Sequence, residues 1–110
     1  MSTLSTHVLD TSRGAPAAGV LVRLTALDGE GGPIEAVTDD DGRIAAAAFG
    51  EDLEIGLYEL RFIVAPYFAR AHLDAFYEEI LVRFRIDAEE RHYHVPLLLS
   101  PWGYTTYRGS

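Results

Sequence analysis

The chain has 110 residues, of which 48% are hydrophobic and 24% charged, with a net charge of −8 and no cysteine. That size suits one domain over residues 1–110, with a core that buries roughly two-thirds of the unfolded surface and requires no metal or disulfide. The acidic balance argues against nucleic-acid phosphates and anionic membrane surfaces as partners, and without cysteine there is neither thiol catalysis nor a disulfide framework.

The opening stretch, MSTLSTHVLDTSRG, has no basic region followed by an apolar one, so no signal peptide is expected. The longest strongly apolar run, VPLLL, is far too short to span a bilayer. The final RGS does not match the peroxisomal tripeptide Ser-Lys-Leu. These features predict a soluble, cytoplasmic protein.

Period-two alternation marks half-buried strands along the chain. A short β-rich segment, THVL, comes first. In GVLVRLTAL, Val20, Val22, Leu24 and Ala26 share one face. IEAVT is a second short segment, and DDDG before Arg43 and Ile44 reads as a tight connection into the next strand. FGEDLEIG carries the one helical hint, its early acidic residues suiting a helix N-terminus. In LYELRFIV the shared face is Tyr58, Leu60, Phe62 and Val64. In EILVRFRID it is Ile80, Val82, Phe84 and Ile86, with Arg83 and Arg85 opposite. HYHVPLLL and GYTTY complete the pattern. The turn clusters DTSRGAPAAG, DGEGGP, DDDG and IDAEER separate these segments. About seven or eight short strands and one short helix predict an all-β, antiparallel sandwich.

The chemistry-bearing residues begin with four histidines, His7, His72, His92 and His94. Histidine's ordinary pKa suits proton transfer near neutrality. His92 and His94 lie two apart in a strand pattern and so share a face, which Pro96 also occupies. Pro96 predicts a sheet edge or an end to ladder pairing there. The plain alternative is a pair of solvated surface histidines. His7, His92 and His94 could offer three nitrogens to zinc, but one HxH pair with a distant His and no acidic residue at motif spacing predicts no metal. DDDG fails as a calcium loop, because Arg43 and Ile44 stand where an acidic residue and a glycine are needed. A Ser-His-Asp triad lacks the G-x-S-x-G elbow. What remains is water activated by His, with charge held by an arginine whose planar fork fits a flat, oxygen-rich partner. Arg43 and Arg108 are the candidates, each taken singly more easily read as a solvated charge.

STHVLDTSRGAPAAGV, DDDGRI and HYHVPLLLSPWGYTTYRGS together resemble the 5-hydroxyisourate hydrolase family, the transthyretin-related enzymes of urate breakdown, over essentially the whole chain. The terminal Tyr-Arg-Gly-Ser is the most specific element, separating these hydrolases from the hormone-binding transthyretin that shares their fold. The resemblance implies a transthyretin-like sandwich of two four-stranded sheets with one short helix. It implies hydrolysis of 5-hydroxyisourate to 2-oxo-4-hydroxy-4-carboxy-5-ureidoimidazoline without a cofactor. It carries catalytic roles onto His7, Arg43 and His94, and substrate binding onto Tyr107, Arg108, Gly109 and Ser110; His92 receives no role. Which histidine is the base stays open. It also implies a homotetramer, a dimer of dimers with sites where the dimers meet, which would bury the apolar LLLSPWGY run. Phe76-Tyr77-Glu78 departs from the family where many relatives carry a proline, away from every matched site residue. The alternatives are a transthyretin-like carrier of a small aromatic ligand and an immunoglobulin-type interaction sandwich with incidental histidines.

Overall fold

The computed structural model describes residues 1–29 and 31–110; Glu30, inside the DGEGGP turn cluster, lies outside the described residues. Nine strands form among the described residues: β1 (Thr3–Asp10), β2 (Ala15–Pro16), β3 (Leu21–Ala26), β4 (Ile34–Val37), β5 (Arg43–Ile44), β6 (Gly56–Ile63), β7 (Glu79–Ile86), β8 (His92–Ser100) and β9 (Gly103–Thr106). They build two sheets, ordered β4-β3-β6-β7 and β2-β1-β8-β9, with β5 also paired to β1. In the second sheet, β8 occupies one whole edge of β1. The other edge is filled by two separate pieces, β2 against Leu9 and Asp10 and β5 against Thr6 and His7. The fourth lane of that sheet is therefore split, and five strands stand where four were expected.

The period-two pattern explains the layering. Val20, Val22, Leu24, Tyr58, Leu60, Phe62, Val64, Ile80 and Ile86 all point into the core from the first sheet and its flanks. Leu4, Val8, Tyr93, Val95, Leu97 and Leu99 meet them from the second. Each such fully buried aliphatic or aromatic side chain contributes about 1.5–3 kcal/mol relative to exposure. The expected antiparallel pairing holds except at β1 and β8, which run parallel in register from Thr3 beside His92 to Asp10 beside Leu99. Parallel neighbours need a crossover connection, and here nearly the whole chain supplies it.

The expected helix is displaced. FGEDLEIG is not helical: a 3-10 turn ends at Phe49, and the segment then runs extended so that Leu53 bridges Ser2. Glu51, Asp52 and Glu54 are exposed there, and their carboxylates cap nothing. The α-helix lies instead at Ala65–Arg70, α1. Pro66 stands in its first turn, where a missing N–H costs nothing. Tyr67 and Phe68 anchor it in the core. Six residues are too few for helical periodicity to show in the sequence.

Tyr67 also ties α1 to the end of β1. Its hydroxyl donates to the buried Asp10 carboxylate at 2.7 Å and accepts from Arg13. The Ser12 amide and hydroxyl and the Arg13 amide donate to the same carboxylate. Burial pushes the Asp10 carboxyl upward, but these donors outweigh it and hold the group below its ordinary value.

Candidate active site

The outward face of the β1-β8 pair collects the polar residues that the core excludes. Along β1, Leu4, Thr6, Val8 and Asp10 are buried, which turns Thr3, Ser5 and His7 outward. Along β8, Tyr93, Val95 and Leu97 are buried, which turns His92 and His94 outward. The parallel register sets Thr3 beside His92, Ser5 beside His94 and His7 beside Pro96. On the other edge of β1, Arg43 pairs with His7.

The DDDG turn delivers that arginine. Asp39 Oδ1 accepts the amides of Asp41 and Arg43, each at 2.9 Å. Gly42 has φ +74°, and a Cβ there would run into the Val8 carbonyl. Only glycine lets the turn lie this close to β1. The connection is tight, as the sequence predicts, but it carries the chain from one sheet to the other, from β4 to β5. Among the described residues, no carboxylate forms an ion pair with Arg43.

His94 is the half-buried member of the group. Its Nδ1 lies 2.8 Å from Ser5 Oγ, and its Nε2 has no partner among the described residues. Burial is the first cause lowering its pKa from 6.5, and the nearby charge of Arg43, then His7 and His92, pushes the same way. A histidine so placed stays neutral near neutrality and keeps a lone pair to offer. His92, by contrast, is exposed and has both ring nitrogens engaged, Nδ1 with Thr3 Oγ1 at 2.6 Å and Nε2 with Ser5 Oγ at 2.8 Å. Among the described residues, no three His, Asp or Glu side chains are arranged to hold a metal ion.

Pro96 decides how the C-terminal stretch meets His94. β9 pairs antiparallel with β8 up to Thr106 opposite Leu97. The same register would place Tyr107 opposite Pro96, which has no N–H to give. The Pro96 carbonyl takes the Thr106 hydroxyl instead, at 2.8 Å. Pairing then resumes two residues beyond, where the Gly109 amide donates to the His94 carbonyl at 2.7 Å. A Cβ on Gly109 would come within 2.7 Å of His94 Cδ2. Gly109 is therefore held against the histidine ring by its lack of a side chain, and the exposed Ser110 follows it.

The structure thus brings His7, Arg43, His94 and Gly109 to one face. Arg108 is aimed elsewhere. Its guanidinium carbon lies 4.8 Å from the centroid of Tyr93, a core-facing ring, on the opposite side of the sheet from His94. With Tyr107 it lines an apolar groove of about 210 Å³ at the open edge between the sheets, walled by Val82, Phe84 and Val95. Ser5 is the site residue that sequence reasoning missed. Its outward place follows from the alternation of β1, but its contact with His94 spans 89 positions of chain and no local pattern shows it.

A model of the HIUase/Transthyretin family matches residues 4–109. The chain belongs to the HIUase/Transthyretin family. Among its members, the 5-hydroxyisourate hydrolase of Caulobacter vibrioides is 45% identical, with 100% of both chains covered. That of Deinococcus radiodurans is 48% identical over 97% of this chain and 95% of its own. The solved Klebsiella pneumoniae 5-hydroxyisourate hydrolase superposes with a TM-score of 0.87 at 42% identity, covering 100% of this chain and 94% of that one. Sea bream transthyretin in complex with thyroxine gives a TM-score of 0.87 at 31% identity, covering 97% and 94%. The two-sheet architecture is therefore that of the HIUase/Transthyretin family.

Proposed function

We propose that this chain hydrolyses 5-hydroxyisourate to 2-oxo-4-hydroxy-4-carboxy-5-ureidoimidazoline, using residues 1–110 as one catalytic domain. The observation that carries the reading is His94: half-buried, neutral-leaning, with a free Nε2, beside an arginine that no carboxylate neutralises among the described residues. A hormone carrier has no use for that combination.

His94 Nε2 takes a proton from water as the water oxygen attacks the lactam carbonyl carbon. Arg43 holds the oxyanion that develops there, a stabilisation that is larger in the transition state than in the ground state. The carbon–nitrogen bond then breaks, and the departing nitrogen receives a proton from His7 or from the newly charged His94. A positioned base of this kind contributes about 10²–10⁴-fold. Gly109 and Ser110 bound the site beside His94, while Tyr107 and Arg108 line the separate groove over Tyr93 and would reach the substrate only by moving. The scheme needs side chains and water only.

The assembly in this reading is a homotetramer, a dimer of dimers with sites where the dimers meet. Each sheet ends in edge strands among the described residues, β4 and β7 in one and β2, β5 and β9 in the other; β7 is the longest of these, and such edges invite pairing. Trp102, Tyr104 and Tyr107 are 68%, 43% and 56% exposed in the single chain, a hydrophobic set that an interface would cover. Light scattering at micromolar concentration should return four times the chain mass; a monomer mass removes the assembly. Among the described residues no helix is long and apolar enough to cross a membrane, and a cytoplasmic location is part of the proposal.

The decisive assay generates 5-hydroxyisourate freshly from urate with urate oxidase and follows its ultraviolet decay. The protein should accelerate that decay well beyond the spontaneous rate. Unaccelerated decay sinks the hydrolase reading and leaves the transthyretin-like carrier.

A further inference from the structure

We infer that Ser5 and His92 are positioning residues: a continuous hydrogen-bond chain, Thr3 to His92 to Ser5 to His94, holds His94 in the tautomer that leaves Nε2 as an acceptor. The inference about the chain stands on geometry, and its kinetic consequence rests on the proposed role of His94.

The three links measure 2.6 Å from Thr3 Oγ1 to His92 Nδ1, 2.8 Å from His92 Nε2 to Ser5 Oγ, and 2.8 Å from Ser5 Oγ to His94 Nδ1. The two Ser5 links lie in the range of well-formed hydrogen bonds, and the Thr3 link is shorter still. Parallel pairing of β1 with β8 makes the chain possible, because it alternates the two strands' outward residues along one line. Ser5 Oγ has a single proton and stands between two ring nitrogens. With both rings neutral and that proton used within the chain, the links thread in only two directions.

In one direction His94 Nδ1–H donates to Ser5, the Ser5 hydroxyl donates to His92 Nε2, and His92 Nδ1–H donates to Thr3. His94 Nε2 then carries a lone pair. In the other direction every donor reverses, and His94 presents Nε2–H. The surroundings favour the first. Arg43 stands in register with His7 on the other edge of β1 from His94, and its charge reaches His94; a cation nearby is better faced by a lone pair than by an N–H dipole. Thr3, partly exposed at the far end, can pass its own proton to solvent.

The chain does what a carboxylate does in a Ser-His-Asp triad, fixing which nitrogen of the working histidine is free. It does so without adding a negative charge, which would raise the His94 pKa and compete for Arg43. His92 is thereby accounted for: with both nitrogens committed, it orients Ser5 and leaves the substrate to His94.

The test is nitrogen-15 NMR of the histidine rings in the full chain, above pH 6.5 so that His94 is neutral, together with steady-state kinetics. Wild type should show His94 with Nδ1 protonated and Nε2 bare. Ser5→Ala should move the population toward Nε2–H and lower kcat about three- to tenfold, the worth of one hydrogen bond, with KM little changed. Ser5→Thr keeps the hydroxyl and should restore both readouts. His92→Leu should shift the tautomer in the same direction, less strongly. A wild-type His94 found as Nε2–H overturns the inference, as does a Ser5→Ala chain with unaltered tautomer and kcat. A wild-type protein without hydrolase activity sinks the proposed function instead, and the tautomer spectra still decide the chain.

Discussion

The outward faces of the two sheets carry the same cation and treat it in opposite ways. On β3, β6 and β7 three of the four outward arginines are matched with carboxylates, Arg23 with Glu35 at 2.6 Å, Arg83 with Glu59 at 2.9 Å and Arg61 with Glu79 at 3.6 Å; Arg85 forms no ion pair among the described residues. On the β1-β8 face, Arg43 keeps its charge unmatched among the described residues, and its neighbours are histidines and hydroxyls. Cross-strand pairing neutralises most of the first face, and its exposed Arg23–Glu35 pair is worth little in energy. Withholding carboxylates from the second leaves the Arg43 fork of donors without an ion-pair partner among the described residues, and its charge adds to burial, the larger cause, in lowering the His94 pKa. An arginine's residue type therefore says less about function than the acids placed, or not placed, beside it.

Substitutions should separate the faces most strongly at the site. His94→Ala should lower kcat/KM by about 10²–10⁴-fold and Arg43→Ala by about 10²–10³-fold, with thermal unfolding little changed. Near wild-type turnover in either variant removes that residue from the scheme. His7→Ala, if His7 serves as proton donor, should fall in the same range.

Gly109→Ala tests whether the C-terminal stretch matters to the site. The new Cβ meets the His94 ring, so ring or strand must shift, and displacements near an ångström can cost up to about 10²-fold in rate. Unchanged kcat/KM with an unchanged fold by circular dichroism would return this stretch to an ordinary end.

The acid limb of the kcat/KM profile sharpens the comparison further. A histidine whose folded pKa is depressed is neutral over a wider acidic range, so activity should persist below pH 6.5 and fall only through the lowered value. The sign for stability runs the same way: the unfolded chain binds the His94 proton first, so the penalty is absent above pH 6.5 and grows as pH falls through the folded value. Arg43→Gln removes the second-largest cause and should move the limb upward toward the ordinary value. A limb that stays put would show that Arg43's charge does not reach His94.

The smallest effect belongs to the neutralised face. Arg23→Ala or Glu35→Ala breaks an ion pair that is about half exposed on its acidic side. Stability should change by about 0.2–1 kcal/mol, and activity not at all. Loss of turnover there would end the distinction between the faces.

Period-two alternation was enough to place the core face of the β4-β3-β6-β7 sheet, because a strand with one buried side writes its orientation into every second residue. Val20 to Leu24, Tyr58 to Val64 and Ile80 to Ile86 lie as their spacing predicts. The six-residue α1 escaped, having too few turns to show a period, and the acids of FGEDLEIG imitated a helix start where the chain is extended. The resemblance of THVLD, DDDGRI and HYHVPLLLSP to known hydrolases named His7, Arg43 and His94, and these do share a face. The terminal Tyr-Arg-Gly-Ser named Arg108, whose guanidinium lies over the Tyr93 ring in the single chain.

Residue order alone determined which side chains face outward on β1 and β8 and that Pro96 would interrupt pairing, since both follow from the local geometry of an extended backbone. Only the tertiary structure decided that β1 and β8 are parallel neighbours, that Ser5 therefore meets both histidines, and that pairing resumes at Gly109 beyond the proline gap. Those contacts join residues separated by most of the chain or by a broken ladder, and no local pattern records a partner that arrives only when the sheets close.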